Sequence, residues 1–325
     1  MAEQSKQEIL LESGTNEMEI IEFYLGTQSF GINVHKLKEI IPYDAEAVTV
    51  VPNCASGMLG TLLLRGSTIP LIDLKSHLEC RQQALAEDVR HVVLVCEFND
   101  RTNGFKVDGV NMIHRVSWGD VQPLASFIDQ YRPRFTGSIN IDGREILIVD
   151  LEHIVAEFDP EADLDYEAEL HQDEMTRQDP LIRQQMKLMM AEDSSLIRAG
   201  IERVLKGSGY SNLQVFTDGE ECYQRILQVK EEAAAAGKPV KDFLDLLITD
   251  IEMPKMDGLT LCRLIKDDPV LREVKVVLFS SLINDQMKVK CDSVGADGYA
   301  TKPQIPYLVE MMDQHLGIAV AEAEG

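Results

Sequence analysis

Asp250 closes a short, mostly apolar run, Phe243 to Thr249, and is followed by Ile251-Glu252-Met253-Pro254-Lys255-Met256-Asp257-Gly258. A run that short, ending in a polar turn, reads as a buried strand of a parallel sheet. The acid then stands at the strand's carboxyl end, the edge where open α/β sheets hold their ligands. Pro254 removes a ladder donor, and Asp257-Gly258 is a turn signal ahead of a helix. Three other segments end in a similar way. Met186 to Ala191 runs into Glu192-Asp193, Val274 to Phe279 into Ser280-Ser281, and Gly298 to Thr301 into Lys302-Pro303. If all four strands are parallel, three carboxylates, a hydroxyl and an ammonium share one cleft. Like charges in one site resist ionising together, so three crowded carboxylates are costly without a cation. Oxygen-only ligands point to a hard ion such as Mg²⁺. With Lys302 beside it, such an ion would attract a phosphoryl group and stabilise its transfer by position and charge. Asp250 would then be the nucleophile, forming an aspartyl phosphate.

Each piece alone has a plainer reading. A strand ending in Asp is commonly a turn or a helix cap, and Glu192-Asp193-Ser194 would equally cap the helix that follows. Lys302-Pro303 alone reads as surface loop, and Tyr299 as core packing. The joint spacing separates the readings. From about Arg183 to Ala319 the chain resembles the receiver domain of two-component response regulators, matching at Glu192-Asp193, at Asp250 with its Met253-Pro254-x-Met256-Asp257-Gly258 tail, at Ser280 and at Lys302-Pro303. Tyr299 stands where that family carries an aromatic switch residue. The resemblance implies an α/β flavodoxin-like fold, with a five-stranded parallel sheet in the order 2-1-3-4-5. It also implies roles: Glu192, Asp193, Asp250 and the backbone carbonyl of Glu252 hold Mg²⁺, Asp250 is the phosphoacceptor, Lys302 pairs with phosphoryl oxygens, Ser280 bonds one of them, and Tyr299 moves inward behind it. Two departures stand out. The first acid is Glu192, where the family most often has Asp, and Lys230 to Lys241 is an Ala-rich insertion expected to lengthen a helix away from the acid cleft.

A length of 325 residues accommodates two or three domains, and 45% hydrophobic residues supply a core for each. The six cysteines, at 54, 80, 96, 222, 262 and 291, form no C-x-x-C pair, which disfavours a zinc site or redox motif and suits reduced thiols in cytosol. Met1 to Glu19 is polar and acidic without a signal-peptide core, and no apolar stretch reaches transmembrane length, so the expectation is a cytoplasmic protein with no direct membrane insertion. Net charge is −24. Residues 1–156 hold 13 basic and 22 acidic side chains, and residues 157–180 hold Arg177 against ten acids. Such a surface is poorly suited to phosphate-backbone contact, and nucleic-acid binding is not expected.

The N-terminal half reads as β-rich. Glu19 to Leu25 alternates and is answered after Gly26 by Phe30 to Val34, a hairpin signal. Asn33 to Ile41 reads as a short helix ended by Pro42. Met58 to Leu64 and Thr68 to Leu71 flank Arg65-Gly66, and Asp73 to Leu78 reads as helical. Val92 to Phe98 pairs with Gly104 to Val107, and Val110 to Val116 continues extended. Phe135 to Ile141 pairs with Glu145 to Val149 across Asp142-Gly143, and Asp150 precedes a helix from Leu151 to Phe158. Many short strands with Gly-rich turns indicate a sandwich or small barrels. No nucleophile–base pair or metal cluster stands out; His35, His77, His91, His114 and His153 read as core or surface residues rather than ligands. An all-β module without chemistry suggests binding.

The pattern Met58-Leu59-Gly60-x-x-x-Leu64-Arg65-Gly66-x-x-Ile69-Pro70-Leu71-Ile72-Asp73-Leu74 resembles the core signature of the CheW family of chemotaxis coupling proteins, and Gly104-x-x-Val107-Asp108-x-Val110 and Ile146-x-Ile148-Val149-Asp150-Leu151 fit the same family. That resemblance implies two small five-stranded barrels sharing a core, bridging chemoreceptors and a histidine autokinase. It links Arg65 to partner contact; the alternative is that Arg65 holds its own turn. Val51, Met58 and Leu59 fit either a docking surface or a barrel interior. The division expected is a coupling domain at 17–160, an acidic linker at 161–183 and a receiver at 184–319. The order of the two domains resembles CheV-type chemotaxis coupling proteins. It implies a chemotaxis histidine kinase and chemoreceptor cytoplasmic tips as partners, recruitment to membrane receptor arrays, and phosphotransfer to Asp250, with no enzymatic activity beyond self-catalysed phosphotransfer and dephosphorylation. Two other readings stay open. One is a phosphate sink held in the array by the coupling half. The other is a Mg²⁺-dependent aspartyl-nucleophile phosphohydrolase, which usually carries Asp-x-Asp where this chain has Asp250-Ile251-Glu252.

Overall fold

The structure is a computed structural model that describes residues 14–80, 90–99, 101–124, 134–158, 180–302 and 305–318. The first domain contains strands β1 (Glu17–Leu25), β2 (Gln28–Asn33), β3 (Leu37–Pro42), β4 (Val48–Thr49), β5 (Met58–Leu64) and β6 (Ser67–Asp73), the short helix α1 (Leu74–His77), strands β7 (Val92–Phe98), β8 (Arg101–Val107), β9 (Gly109–Ser117), β10 (Phe135–Ile141) and β11 (Arg144–Val149), and helix α2 (Leu151–Phe158). They form two sheets, ordered β10-β11-β2-β1-β9 and β3-β7-β8-β6-β5-β4. The second sheet thus carries, beyond the five strands expected of each barrel, the two-residue edge strand β4. Phe23, Phe30, Ile72, Leu94, Phe105 and Leu151 meet in the core between the sheets.

The hairpin turns follow their residue types. Asp142 and Gly143 both adopt positive φ (51° and 77°), as do Arg65 and Gly66 (49° and 89°). Two positive φ values in a row give the turn whose twist matches the flanking strands. One expectation fails: Asn33 to Ile41 is not a helix. Asn33 caps a single helical turn, Val34–Lys36, and the chain enters β3 at Leu37. β3 pairs antiparallel with β7, and its side chains alternate between half-buried and exposed. Pairing with the apolar β7 fixes a period of two on a segment that includes Ile40-Ile41-Pro42, a poor helical end.

The second domain contains the short helix α3 (Pro180–Arg183), β12 (Leu188–Ala191), α4 (Ser195–Gly207), β13 (Leu213–Phe216), α5 (Gly219–Ala236), β14 (Leu246–Thr249), α6 (Gly258–Asp267), β15 (Lys275–Phe279), α7 (Asp285–Ser293), β16 (Gly298–Ala300) and α8 (Ile305–Leu316). The five strands are parallel and ordered β13-β12-β14-β15-β16, the 2-1-3-4-5 order expected. Helices cover both faces, so β14 is buried throughout: Leu247 faces the core that holds Cys222, Leu261 and Met287, while Leu246 and Ile248 face the core that holds Ile201 and Leu308. The Ala-rich insertion lengthens α5 as far as Ala236, where Gly237 at φ 62° ends it.

Candidate functional site

Parallel strands bring four chain segments to one edge, and backbone bonds continue past the strand ends to fix them. The N–H of Asp250 donates to Ala191 O (2.9 Å), that of Glu192 to Phe216 O (3.1 Å) and that of Ser280 to Ala300 O (3.1 Å). The turn after Asp250 is drawn tight by Gly258, whose N–H donates to Ile251 O at 3.0 Å. A Cβ at Gly258 would lie 1.9 Å from the carbonyl oxygen of Asp250, so only glycine fits there. Asp257 caps α6 by accepting from the Thr260 N–H (2.7 Å).

The carboxylates of Glu192, Asp193 and Asp250 lie together, with one oxygen from each within 4.8 Å of the others. Lys302 donates to Asp250 Oδ2 at 2.6 Å and to Glu192 Oε1 at 3.2 Å. The Ile251 N–H donates to Asp250 Oδ1 at 2.6 Å. Ser280 is buried beside them, and its Oγ accepts from the Leu282 N–H. The helix after the acid pair is capped by the Ser194 hydroxyl, which leaves Glu192 and Asp193 facing the cleft. Tyr299 is half-buried, packed against the core that includes Met287 and Leu278. Pro303 lies outside the described residues. Arg65 stands apart on the turn between β5 and β6, its side chain 75% exposed and paired with Glu39 at 2.7 Å; it ties that turn to β3 rather than bonding local carbonyls.

The electrostatics are those of a crowded anion site. Burial, then Asp250 and Asp193, hold the Glu192 carboxyl well above the usual range against the pull of Lys302. Burial and Asp250 push Asp193 up to about 8. Burial opposes the charge on Lys302, yet the Asp250 and Glu192 carboxylates keep its ammonium well above its ordinary value. Three acids with their oxygens turned on one point, and one ammonium among them, are a donor set that fits a hard divalent cation such as Mg²⁺. Among the described residues, no other cluster of His, Cys, Asp or Glu has this convergence.

Spacing alone had given no notice of what the N-terminal domain contributes here. The side chain of Glu252 turns toward that domain, where it accepts from Asn33 Nδ2 (2.8 Å) and pairs with Lys36 (2.8 Å). Lys36 also pairs with Glu152 at 2.9 Å, and its side chain is 6% exposed. Ser281 Oγ donates to Glu152 Oε1 at 2.5 Å, and the Asn99 N–H donates to Ser281 O at 3.1 Å. Burial opposes the carboxylate of Glu152, but Lys36 and Lys302 pull it down to about 2. Burial likewise opposes the Lys36 ammonium, which Glu152 and Glu252 nevertheless hold well above its ordinary value. Farther out, Asn16 bonds Thr260, Lys255 and the Asp257 N–H, and the Lys255 N–H donates to Trp118 O at 2.9 Å.

Comparison with known proteins agrees with this architecture. Residues 19–159 match the model of the CheW-like domain, and residues 188–313 match that of the response regulator receiver domain. Chemotaxis protein CheV3 of Helicobacter pylori is 28% identical over 314 residues, covering 93% of this chain and 94% of that protein. CheV2 of the same organism is 27% identical, covering 89% and 90%. Chemotaxis protein CheW of Rhizobium meliloti is 32% identical over 145 residues, 44% of this chain and 91% of that protein. No helix among the described residues is long and apolar enough to cross a membrane. With a CheW-like domain of two sheets leading and a receiver following, the chain belongs to the CheW family of chemotaxis coupling proteins, in the CheV-type arrangement.

Proposed function

We propose that this coupling adaptor links chemoreceptor cytoplasmic tips to a chemotaxis histidine kinase and is regulated by phosphotransfer from the kinase's phosphohistidine to Asp250. The observation that carries the reading is the convergence of Glu192, Asp193, Asp250 and Lys302 at one sheet edge. In the transfer an Asp250 carboxylate oxygen attacks phosphorus, the P–N bond breaks with its electron pair going to nitrogen, and the donor imidazole, protonated on its other nitrogen, leaves neutral. Glu192, Asp193, Asp250 and the Glu252 backbone carbonyl are the groups that would hold Mg²⁺, which supplies neutralisation of the phosphoryl charge. Lys302 exchanges its contact with Asp250 for the phosphoryl oxygens. Ser280, one residue past β15, bonds a phosphoryl oxygen, and the half-buried Tyr299 follows it inward, a two-state element biased by local charge. Arg65, exposed on its turn, belongs to the surface that meets receptor or kinase.

Transfer from radiolabelled, autophosphorylated chemotaxis kinase tests the proposal. Label on the wild type with Mg²⁺, and none with chelator or in Asp250→Asn, is the expected result. Label retained by Asp250→Asn would overturn the assignment.

A further inference from the structure

We propose that the coupling domain carries, on the face formed by Asn16, Asn33, Lys36, Trp118 and Glu152, a binding surface for the acceptor edge of its own receiver, and that docking there and phosphorylation of Asp250 exclude each other. This rests on Asp250 being the acceptor and adds what controls access to it.

Exposure is the first ground. Asp250 is 4% exposed, Glu192 1%, Ser280 1% and Lys302 5%. In-line attack requires the donor's phosphorus within bonding reach of an Asp250 oxygen. Little of Asp250 is left for an imidazole carried on another protein to reach, and the coupling domain stands against Glu252 and Ser281 on the approach to it.

The second ground is where the contact is made. Two of its receiver anchors are neighbours of the reacting groups: Glu252 is two residues past Asp250, and Ser281 follows Ser280. Lys36 bridges Glu252 to Glu152 while Ser281 bonds Glu152 from the other side. A phosphoryl group brings nearly two negative charges and three acceptor oxygens. On Asp250 it would stand beside Glu152 and Glu252 and draw Lys302 to itself, so that like charges oppose one another across the contact. The contact includes several ion pairs and hydrogen bonds, as suits an interdomain surface that opens and closes.

The chain contains a single tryptophan, and it stands at the edge of this contact: Trp118 packs on Met18 and Ile20 of its own domain, lines a cavity shared with Ile251 and Leu259 of the receiver, and its carbonyl accepts from the Lys255 N–H. Its emission therefore reports docking in the unmodified full chain. Beryllofluoride with Mg²⁺, a phosphoryl mimic, is expected to shift Trp118 emission to the red, and Asp250→Asn is expected not to respond. Two variants open the contact from separate places. Lys36→Met removes the bridging cation, and Asn16→Ala removes hydrogen bonds remote from the acids. Because reactivity scales with the open fraction, label uptake from the kinase is expected to rise at least about tenfold in Lys36→Met and less in Asn16→Ala. Both variants should show red-shifted emission before any mimic is added, with far-UV circular dichroism unchanged. If Asp250-dependent label enters all three proteins at one rate and beryllofluoride leaves Trp118 emission unmoved, the docking surface is refuted while Asp250 stands as acceptor. If no protein takes label, including the opened variants, the acceptor assignment falls and this proposal with it.

Discussion

Asp193→Asn will stabilise the metal-free protein and abolish its response to Mg²⁺. Burial and the neighbouring Asp250 carboxylate raise the Asp193 carboxyl from 3.8 to about 8. A raised carboxyl means that the unfolded chain gives up its proton first. Stability therefore falls as pH climbs from the unfolded value toward the folded one, and at pH 7 most of that loss is present. Taken over about three pH units at 1.36 kcal/mol each, the ceiling is about 4 kcal/mol. Asp193 is half-buried and shares its crowding with Glu192, so solvent screening leaves about 1–2 kcal/mol. Asn has no charge to crowd and recovers that amount, but it withdraws one of the proposed Mg²⁺ ligands. A cation that binds only the folded state adds about 2.7 kcal/mol at a hundredfold excess over its Kd. The two proteins should thus exchange rank. In urea unfolding at pH 7, followed by far-UV circular dichroism, the variant is the more stable in chelator and the wild type gains on it in Mg²⁺. A variant less stable than wild type in chelator, or one that gains as much from Mg²⁺, would refute the reasoning.

Arg183 and Asp313, each with a 4%-exposed side chain, form a double hydrogen bond that ties α3 to α8, and Tyr210 donates to the same carboxylate at 2.6 Å. Asp313→Ala will cost about 3–5 kcal/mol because it strands a buried guanidinium, and Tyr210→Phe about 1.5–3, measured by urea midpoint. Gly258→Ala will lose label at Asp250, since its Cβ has to displace the Asp250 carbonyl; normal labelling of a folded Gly258→Ala protein would contradict the placement. In the coupling domain, burial opposes the Glu22 carboxylate, yet hydrogen bonds from Arg144, His114, Ser29 and Asn111 pull it down to about 2. Its contribution is present above 4.5 and is lost as pH falls toward 2, worth about 1–2 kcal/mol after screening around the half-exposed Arg144. Glu22→Gln will flatten that part of the acid-unfolding profile.

The acid cleft was legible because each of its parts carries a local signal. Ala191, Thr249 and Phe279 each end a short apolar run, and the polar residue that follows has nowhere to go but the sheet edge. Asp142-Gly143 was legible for the same reason, since few residue pairs take two positive φ values. β13 escaped notice because Leu213-Gln214-Val215-Phe216 is only four residues long and lies at the sheet's edge. The segment from Asn33 to Ile41 misled because its helical pattern is local, whereas its state is set by pairing with β7, more than fifty residues away. Lys36, Glu152 and Glu252 were silent for a deeper reason. Each looks like an ordinary surface charge, and only the docking of one domain on the other makes them buried partners. Arg183, assigned by composition to the acidic connector, is buried against Asp313 in the same way.

Binding of the 325-residue chain to membranes that carry chemoreceptor and kinase, with and without Mg²⁺ and beryllofluoride and beside Asp250→Asn, tests the regulated-adaptor account most directly. The account predicts that the mimic changes the affinity of the wild type severalfold and leaves Asp250→Asn unchanged. Equal affinity in all four conditions would contradict it, leaving a coupling protein whose receiver does not govern its coupling.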